Sequence, residues 1–163
     1  MAEQATMEKI QPCLLDRLTD FFPDKKEESS YDRVMSISRY REGVLRDLRW
    51  LLSASRHDDG EDLQAYKEIS TSTLNFGIRT LCGKTSENMK SNELEDDIAR
   101  AIEAFEPRIA PNTLEVQFVQ SQDKKRKNEL TIEIRGDLWA KPMPEELFIK
   151  TNVDLETGEF KIT

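Results

Sequence analysis

The chain has 163 residues, a length that fits one domain with tails and is too short for two ordinary domains side by side. Its 32 acidic residues outnumber 24 lysines and arginines, and the net charge of −8 argues against nucleic acid or an anionic membrane surface as the main partner. Apolar residues make up 37% of the chain. Because this share is low, we expect a small core and a large surface that is solvated or covered by a partner.

The cysteines and the apolar segments indicate the compartment. Cys13 and Cys82 lie far apart and form no CxxC pair, which predicts no disulfide framework and favours a reducing compartment. No apolar stretch approaches the ~20 residues of a transmembrane helix. The first residues lack the basic and apolar regions of a signal peptide. We therefore expect a cytoplasmic protein with no membrane insertion.

Residue types that carry catalysis are scarce. The one histidine, His57, lies in a polar run that predicts a solvated loop. Pairs of acidic residues follow from the composition, whereas a glycosidase needs two carboxyls at a set separation in a cleft. The run from Gly83 to Thr85 resembles the end of a phosphate-binding loop but lacks the upstream glycine. We predict a binding or structural module with no catalytic residue, metal site or cofactor.

The N-terminal segments predict a tail and a separable helix. Residues 1–12 are polar and without periodicity, which favours a disordered tail. Residues 13–34 predict a helix of about two turns, ended by Pro23, and a charged connector. This helix packs either on its own domain or in the groove of a partner, as a docking helix. Its apolar stripe consists of Leu14, Leu15, Leu18, Phe21 and Phe22.

Three further helical segments precede the strands. Residues 35–52 have the strongest helical periodicity, and Gly43 within them is compatible with a close helix crossing without establishing one. The charged face of this helix includes Arg46 and Asp47, and its arginines are either solvated or face an acidic partner surface. Residues 63–69 predict a short helix. The segment that follows it has two predicted buried residues, Leu74 and Phe76, and Gly77 at a backbone angle that other residues avoid.

The last predicted helix begins near Ser91, where Asn92 and Glu95 have the spacing of a capping box. Pro107 forces Glu106 out of helical geometry and ends this helix. The sequence therefore predicts a helix exit at Glu106, Pro107 and Arg108.

The apolar period changes to two after the helices. Alternating strands are predicted around 114–118, 130–134 and 147–155, and a turn leads to a last strand at 160–163. A basic run, Lys124 to Lys127, forms either a solvated hairpin tip or a contact for an acidic surface. Helices followed by strands predict one α+β domain over 35–163, with N-terminal helices packed on a C-terminal antiparallel sheet of about four strands. The last strand, with Phe160, Lys161 and Ile162, is predicted to be an edge that offers unpaired backbone groups to a visiting strand.

The order of four motifs resembles TssE of type VI secretion systems, which is similar to the small baseplate wedge protein of contractile phage tails. The motifs are Leu14 to Leu18, Val44 to Leu52, Thr73 to Ile78 and Phe105 to Ile109. The resemblance implies a cytoplasmic, non-catalytic subunit at the membrane-docked baseplate. It also implies wedge partners TssF, TssG and TssK, and sheath partners TssB and TssC.

The resemblance implies a role for each candidate site. Glu106, Pro107 and Arg108 would attach the protein to the wedge, whereas the residues alone equally allow Glu106 and Arg108 to brace their own fold. Leu14, Leu15 and Leu18 would dock on a partner. Phe160, Lys161 and Ile162 would accept a sheath strand, so that the sheath polymerises from the baseplate in register.

Two other functions remain open on the sequence alone. One is an adaptor or anti-adaptor on the same fold, binding a regulator of proteolysis. The other is a peptidoglycan hydrolase, because members of this family were long labelled lysozyme-like. The residues give that label no support.

Overall fold

The computed structural model describes residues 10, 12–19, 23–24, 35–57, 66–81, 91–119, 129–140, 144–157 and 160–162. Several predictions fall outside these residues. They concern most of the N-terminal tail, Phe21 and Phe22, most of the charged connector, the run from Gly83 to Thr85, and the basic run from Lys124 to Lys127.

The helices precede the strands, which confirms the predicted α+β arrangement. The helices are α1 (Leu14–Leu18), α2 (Ile37–Ser53), α3 (Lys67–Ser70) and α4 (Ser91–Phe105). Single 3-10 turns cover Thr73–Asn75 and Pro111–Thr113. The strands are β1 (Glu115–Val119), β2 (Glu129–Leu138), β3 (Glu145–Asp154) and β4 (Phe160–Ile162).

The core lies between the helices and one face of the sheet. Ser36 caps α2 by accepting a hydrogen bond from the N–H of Arg39 at 3.3 Å. The apolar stripe of α2 then packs against α4 and the sheet in one contiguous cluster, as its 3.6-residue period requires. The fully buried members include Val44, Leu48, Leu51, Leu52, Ile98, Ile102, Ile132, Ile134, Leu138, Leu147, Ile149 and Val153.

The sheet is an antiparallel meander in the order β1-β2-β3-β4. Strands β2 and β3 pair over ten consecutive positions, from Glu129 opposite Asp154 to Leu138 opposite Glu145. The registers of all three strand pairs are continuous, without a bulge. Strands β1 and β4 are therefore the two edges, as predicted for the last strand.

Two predictions for the helices are wrong. Helix α1 has one turn and not two, because Thr19 is already extended (φ −87°, ψ 109°) and its hydroxyl donates to the carbonyl of Leu15 at 2.8 Å. Asn92 and Glu95 form no capping box. Helix α4 begins at Ser91, which places Asn92 inside it, and Glu95 accepts a hydrogen bond from the N–H of Phe118 instead.

The segment after α3 differs from the prediction at one position. Leu74 is 75% exposed, and the buried residue is the next one, Asn75. Asn75 is satisfied because its Nδ2 donates to the carbonyl of Ser70 and its Oδ1 accepts the N–H of His57. Gly77 has φ 126° and abuts the carbonyl of Ala54, which confirms the predicted backbone angle.

Candidate functional site

The predicted helix exit lies where α4 ends at Phe105. Glu106 still donates its N–H to the carbonyl of Ile102, and the N–H of Ile109 then bonds the carbonyl of Glu106. Pro107 is exposed. Glu106 is 2% exposed, and the side chain of Arg108 is 17% exposed. The exit therefore presents the proline to solvent and turns the two charged side chains into the protein.

Arg108 binds Glu106 at two points. Its Nε lies 2.7 Å from Oε1 and its Nη2 lies 2.5 Å from Oε2, and the backbone N–H of Arg108 also donates to Oε1 at 3.2 Å. This fork geometry fixes the guanidinium in one orientation. The arrangement accords with the alternative that Glu106 and Arg108 brace their own fold, so attachment to a wedge stays a prediction.

The ion pair extends across three elements of the chain. Arg108 Nη2 also lies 2.5 Å from Oδ2 of Asp47 in α2, and Asp47 Oδ1 accepts from Arg46 Nε at 2.8 Å. Arg46 Nη1 then donates to Oδ1 of Asp16 in α1 at 2.7 Å. We name Asp16, Arg46, Asp47, Glu106 and Arg108 the Arg108 cluster. It joins α1, α2 and the exit of α4, which the sequence analysis treated as separate sites.

Contacts within the Arg108 cluster shift the pKa values of Asp16, Arg46 and Arg108 toward their charged forms. Burial acts to raise the pKa of Asp16, but hydrogen bonds from Cys13 and Arg46 outweigh it and hold that pKa below its usual value. Burial acts to lower the pKa of Arg108, but the contacts with Glu106 and Asp47 outweigh it and raise that pKa. The pKa of Arg46 is raised as well, chiefly by its hydrogen bond to Asp47. These three side chains are thus held in their charged forms near neutral pH.

Gly43 lies where α1 and the helix exit approach α2. A Cβ at this position would lie 3.3 Å from Asp16 Oδ2 and 3.7 Å from Arg108 Nη1. The atoms that approach Gly43 thus belong to the side chains of Asp16 and Arg108, and a helix crossing at Gly43 stays a prediction. Among the described residues, Nη1 of Arg108 makes no hydrogen bond.

Helix α1 turns its apolar side chains outward. Leu14, Leu15 and Leu18 are 71%, 41% and 73% exposed, and no residue of α1 is buried. The helix is held instead through Asp16, whose carboxylate binds Arg46 and accepts from the thiol of Cys13 at 2.9 Å. The predicted docking residues are thus exposed together on one turn.

Two exposed tryptophans, missed by the sequence analysis, flank the Arg108 cluster. Trp50 is 52% exposed, and the guanidinium carbon of Arg46 lies 5.2 Å from its ring centre. Trp139 is 70% exposed, and its backbone N–H donates to the carbonyl of Arg108 at 2.7 Å. A signal existed for Trp50, because it falls outside the apolar stripe of α2. Large aromatic side chains beside a fixed charged group are typical of protein interfaces.

A second charged cluster centres on Asp97 of α4, which is 2% exposed. It binds Arg56 at 2.7 Å, Arg79 at 2.9 Å and Arg100 at 3.4 Å. Burial acts to raise the pKa of Asp97, but the hydrogen bonds from Arg79 and Arg56 outweigh it and lower the pKa to about 2. The cluster ties the end of α2 and the segment before α4 to α4.

The hydrogen-bond phase of the sheet decides which backbone groups of β4 are free. In an antiparallel pair, a residue directs both its N–H and its C=O toward the partner strand or away from it, and neighbouring residues alternate. Phe118 directs its N–H away from β2, because that N–H donates to Oε1 of Glu95 at 2.8 Å. Its partner Ile132 therefore bonds toward Thr151 in β3.

The same alternation continues from β3 to β4. Since Thr151 bonds toward β2, its partner Ile162 directs its N–H and C=O to the open edge, and Phe160 does the same. Lys161 has the opposite phase and bonds toward Asn152. The side chain of Phe160 is buried, whereas that of Lys161 is exposed. The three predicted residues thus differ. Within the described part of the chain, Phe160 and Ile162 have backbone groups that no strand pairs, whereas Lys161 has an exposed side chain.

The other end of β2 gives an independent check of this phase. The N–H of Asp137 donates to Oγ1 of Thr113 at 2.8 Å, and its C=O accepts from the N–H of Ala110 at 2.9 Å. Both partners lie on the β1 side of β2. Odd-numbered residues of β2 therefore bond toward β1 and even-numbered residues toward β3, as deduced from Phe118.

The buried carboxylates at these sites are bound by arginines. Glu106 is paired with Arg108, and Asp97, whose pKa is lowered, is paired with Arg56. Within the described ranges, no group of three or more His, Cys, Asp or Glu side chains is placed to hold a metal ion. No described helix is long and apolar enough to cross a membrane. What the sites offer is fixed charge, exposed apolar side chains and an open sheet edge.

These features define a class of protein: an α+β fold that has a charged cluster at a helix exit and a sheet with an open edge. A family profile described as baseplate wedge protein gp25 matches residues 38–143, about two thirds of the chain. The chain belongs to the baseplate wedge protein gp25 family. The matched range contains Asp47, Glu106 and Arg108, while α1 and β4 lie outside it.

One solved structure partly matches the chain. It is the crystal structure of a candidate tail lysozyme from Geobacter sulfurreducens, with 19% sequence identity and a TM-score of 0.45. The match covers 72% of this chain and 94% of that protein. No curated protein matches the chain significantly.

Proposed function

We propose that the chain is a TssE-type structural subunit of a type VI secretion baseplate. In this proposal it joins the wedge complex and templates polymerisation of the contractile sheath by strand exchange at β4. Membership of the baseplate wedge family carries the baseplate part of the proposal. The open edge of β4 supports the templating part.

Strand exchange at β4 would use the free backbone groups of Phe160 and Ile162. Each of these residues directs one donor and one acceptor outward, which suits a visiting strand in a fixed register. Each backbone hydrogen bond contributes a net free energy of about 0.5–1.5 kcal/mol to binding. A short strand such as β4 therefore binds a visiting strand in one register but only weakly on its own. A sheath strand from TssB or TssC is the proposed visitor, and the remaining affinity would come from neighbouring contacts in the ring.

Attachment to the wedge would use the surface around the Arg108 cluster. Leu14 and Leu18 supply exposed apolar area on α1, and Trp50 and Trp139 flank the cluster. Arg108 would fix the position of this surface and offer Nη1 to a partner acceptor. The proposed partners are TssF, TssG and TssK, at the cytoplasmic side of a membrane-docked baseplate.

The proposal gives the chain a non-catalytic role. The guanidinium-bound state of Asp97 supports it, because a hydrolase of the lysozyme type needs one carboxyl whose pKa is raised. The pKa of Asp97 is shifted in the opposite direction.

A pull-down from the native host tests the wedge part of the proposal. Tagged wild type is compared with a Leu14→Ser/Leu18→Ser variant, which leaves the Arg108 cluster intact. Arg17→Ala is the matched control, because Arg17 is an exposed neighbour on the same turn. We expect wild type and Arg17→Ala to retain TssF, TssG and TssK, and the double variant to lose them. Recovery of a lone regulator of proteolysis would overturn the proposal in favour of an adaptor.

A further inference from the structure

We propose that Glu95 closes the second edge of the sheet, β1, so that strands can be added at β4 alone. The closing contact lies between α4 and β1. The proposed function gives no role to the β1 edge. The one-sided use of the sheet rests on the proposed function, because it assumes that β4 accepts a strand.

The closing contact is a hydrogen bond to the backbone. Oε1 of Glu95 lies 2.8 Å from the N of Phe118, and Glu95 is partly buried. Helix α4 packs beside β1 and brings the carboxylate to the outward face of the strand. A hydrogen bond between an N–H and a carboxylate is stronger than one between two neutral groups. The N–H of Phe118 is therefore occupied by a strong acceptor from the protein itself.

A visiting strand on β1 would have to remove this carboxylate. The carbonyl oxygen that accepts from an outward N–H in a β-ladder occupies the position that Oε1 of Glu95 already fills. Displacing Glu95 would leave its charge beside the incoming carbonyl in a partly buried place. Natural sheets block their edges with charged side chains of this kind.

The two edges of the sheet differ in this respect. Phe118 in β1 bonds Glu95, whereas within the described part of the chain no side chain accepts from the outward N–H groups of Phe160 and Ile162 in β4. An uncapped β1 would be a template for pairing with β1 of a second copy, since two identical edges can always align antiparallel. Glu95 thus gives the sheet one accepting edge and suppresses pairing between copies.

The test compares full-length variants at position 95. Glu95→Ala removes the carboxylate that accepts the hydrogen bond. Glu95→Asp keeps the negative charge but shortens the side chain by one methylene, so that the carboxylate no longer reaches the N–H of Phe118. Glu95→Gln retains a carbonyl oxygen at the same reach. Asp96→Ala is the matched control, because it removes the same charge from the exposed neighbouring residue. Circular dichroism first establishes that each variant folds, and Glu95→Asp is the variant to use if Glu95→Ala does not.

Two measurements are made on these variants. Hydrogen exchange by NMR is expected to show the amide of Phe118 exchanging at least tenfold faster in Glu95→Ala and Glu95→Asp than in wild type, Glu95→Gln or Asp96→Ala. Sedimentation equilibrium is expected to show a concentration-dependent dimer for Glu95→Ala. The Glu95→Asp protein is expected either to form the same dimer or to stay monomeric. A further Val116→Pro change should abolish that dimer, because the N–H of Val116 shares the outward phase of Phe118.

The outcomes separate this inference from the proposed function. Unchanged Phe118 exchange, or a Glu95→Ala protein that stays monomeric throughout, overturns the closure of β1. Dimers that persist with Val116→Pro also overturn it, because they form elsewhere. None of these readouts involves a sheath protein. A failure of β4 to accept a sheath strand would therefore refute the proposed function and leave the result for Glu95 standing.

Discussion

Replacement of Glu106 by glutamine is the sharpest test of the Arg108 cluster. The amide has the size of the carboxylate but carries no charge. Its NH2 group is a hydrogen-bond donor that would face the N–H donors of Arg108, so one of the two hydrogen bonds is lost. Removing one partner of a buried ion pair costs about 3–5 kcal/mol when the other charge is stranded. Arg108 keeps Asp47 at 2.5 Å, so it is not stranded, and we expect a smaller loss of about 2–3 kcal/mol. For a chain of this size, that loss lowers the Tm by roughly 4–12 °C.

Urea unfolding followed by circular dichroism at pH 7 measures this loss. Glu145→Gln is the matched control, because Glu145 pairs with Arg41 at 3.9 Å with both side chains exposed, and such pairs contribute at most about 1 kcal/mol. If Glu106→Gln changes the free energy of unfolding no more than Glu145→Gln does, the pair of Glu106 and Arg108 does not stabilise the fold. A loss above about 5 kcal/mol would contradict the view that Asp47 compensates.

Three further predictions concern other contacts of the fold. The pKa of Asp97 is about 2 in the folded protein and 3.8 in the unfolded chain. Its ion pairs therefore contribute about 2 kcal/mol to the free energy of unfolding above pH 4, and this contribution is lost as the pH falls toward 2. Asp97→Asn should flatten this pH dependence in acid unfolding curves. Asp16→Asn should weaken the bond to Arg46 and speed amide exchange in α1 without lowering the Tm by more than a few degrees, and unchanged exchange would count against Asp16 as the tether. Gly77→Ala places a Cβ against the carbonyl of Ala54 at φ 126° and should lower stability by about 1–3 kcal/mol in thermal unfolding, whereas a neutral effect would contradict the strained backbone.

Local periodicity was sufficient to predict the longest elements. The apolar stripe of α2 and the alternation of β2 and β3 determine which face is buried, and Pro107 determines where α4 ends. These signals act between residues that are close in the sequence. The α+β arrangement could be predicted for that reason.

Contacts between distant residues account for the errors. Arg46 and Asp47 were predicted to face solvent or a partner, but they pair with Asp16 and Arg108, which are 30 and 61 positions away. Glu95 has the spacing of a capping residue, yet its carboxylate bonds a strand 23 positions later. Charged residues carry no periodic signal that distinguishes a solvated side chain from a paired one, so these contacts required the structure.

The most direct test of the account is sheath assembly seeded by this chain. The variant Ile162→Pro removes an N–H that faces the open edge and spares the pairing of β4 with β3, whereas Lys161→Ala changes an exposed side chain of the same strand. Sheath assembly from TssB and TssC is followed by electron microscopy on baseplates carrying each variant. Strand exchange at β4 predicts normal sheaths with Lys161→Ala and none with a folded Ile162→Pro. Normal sheaths on the Ile162→Pro baseplates would contradict strand exchange at β4.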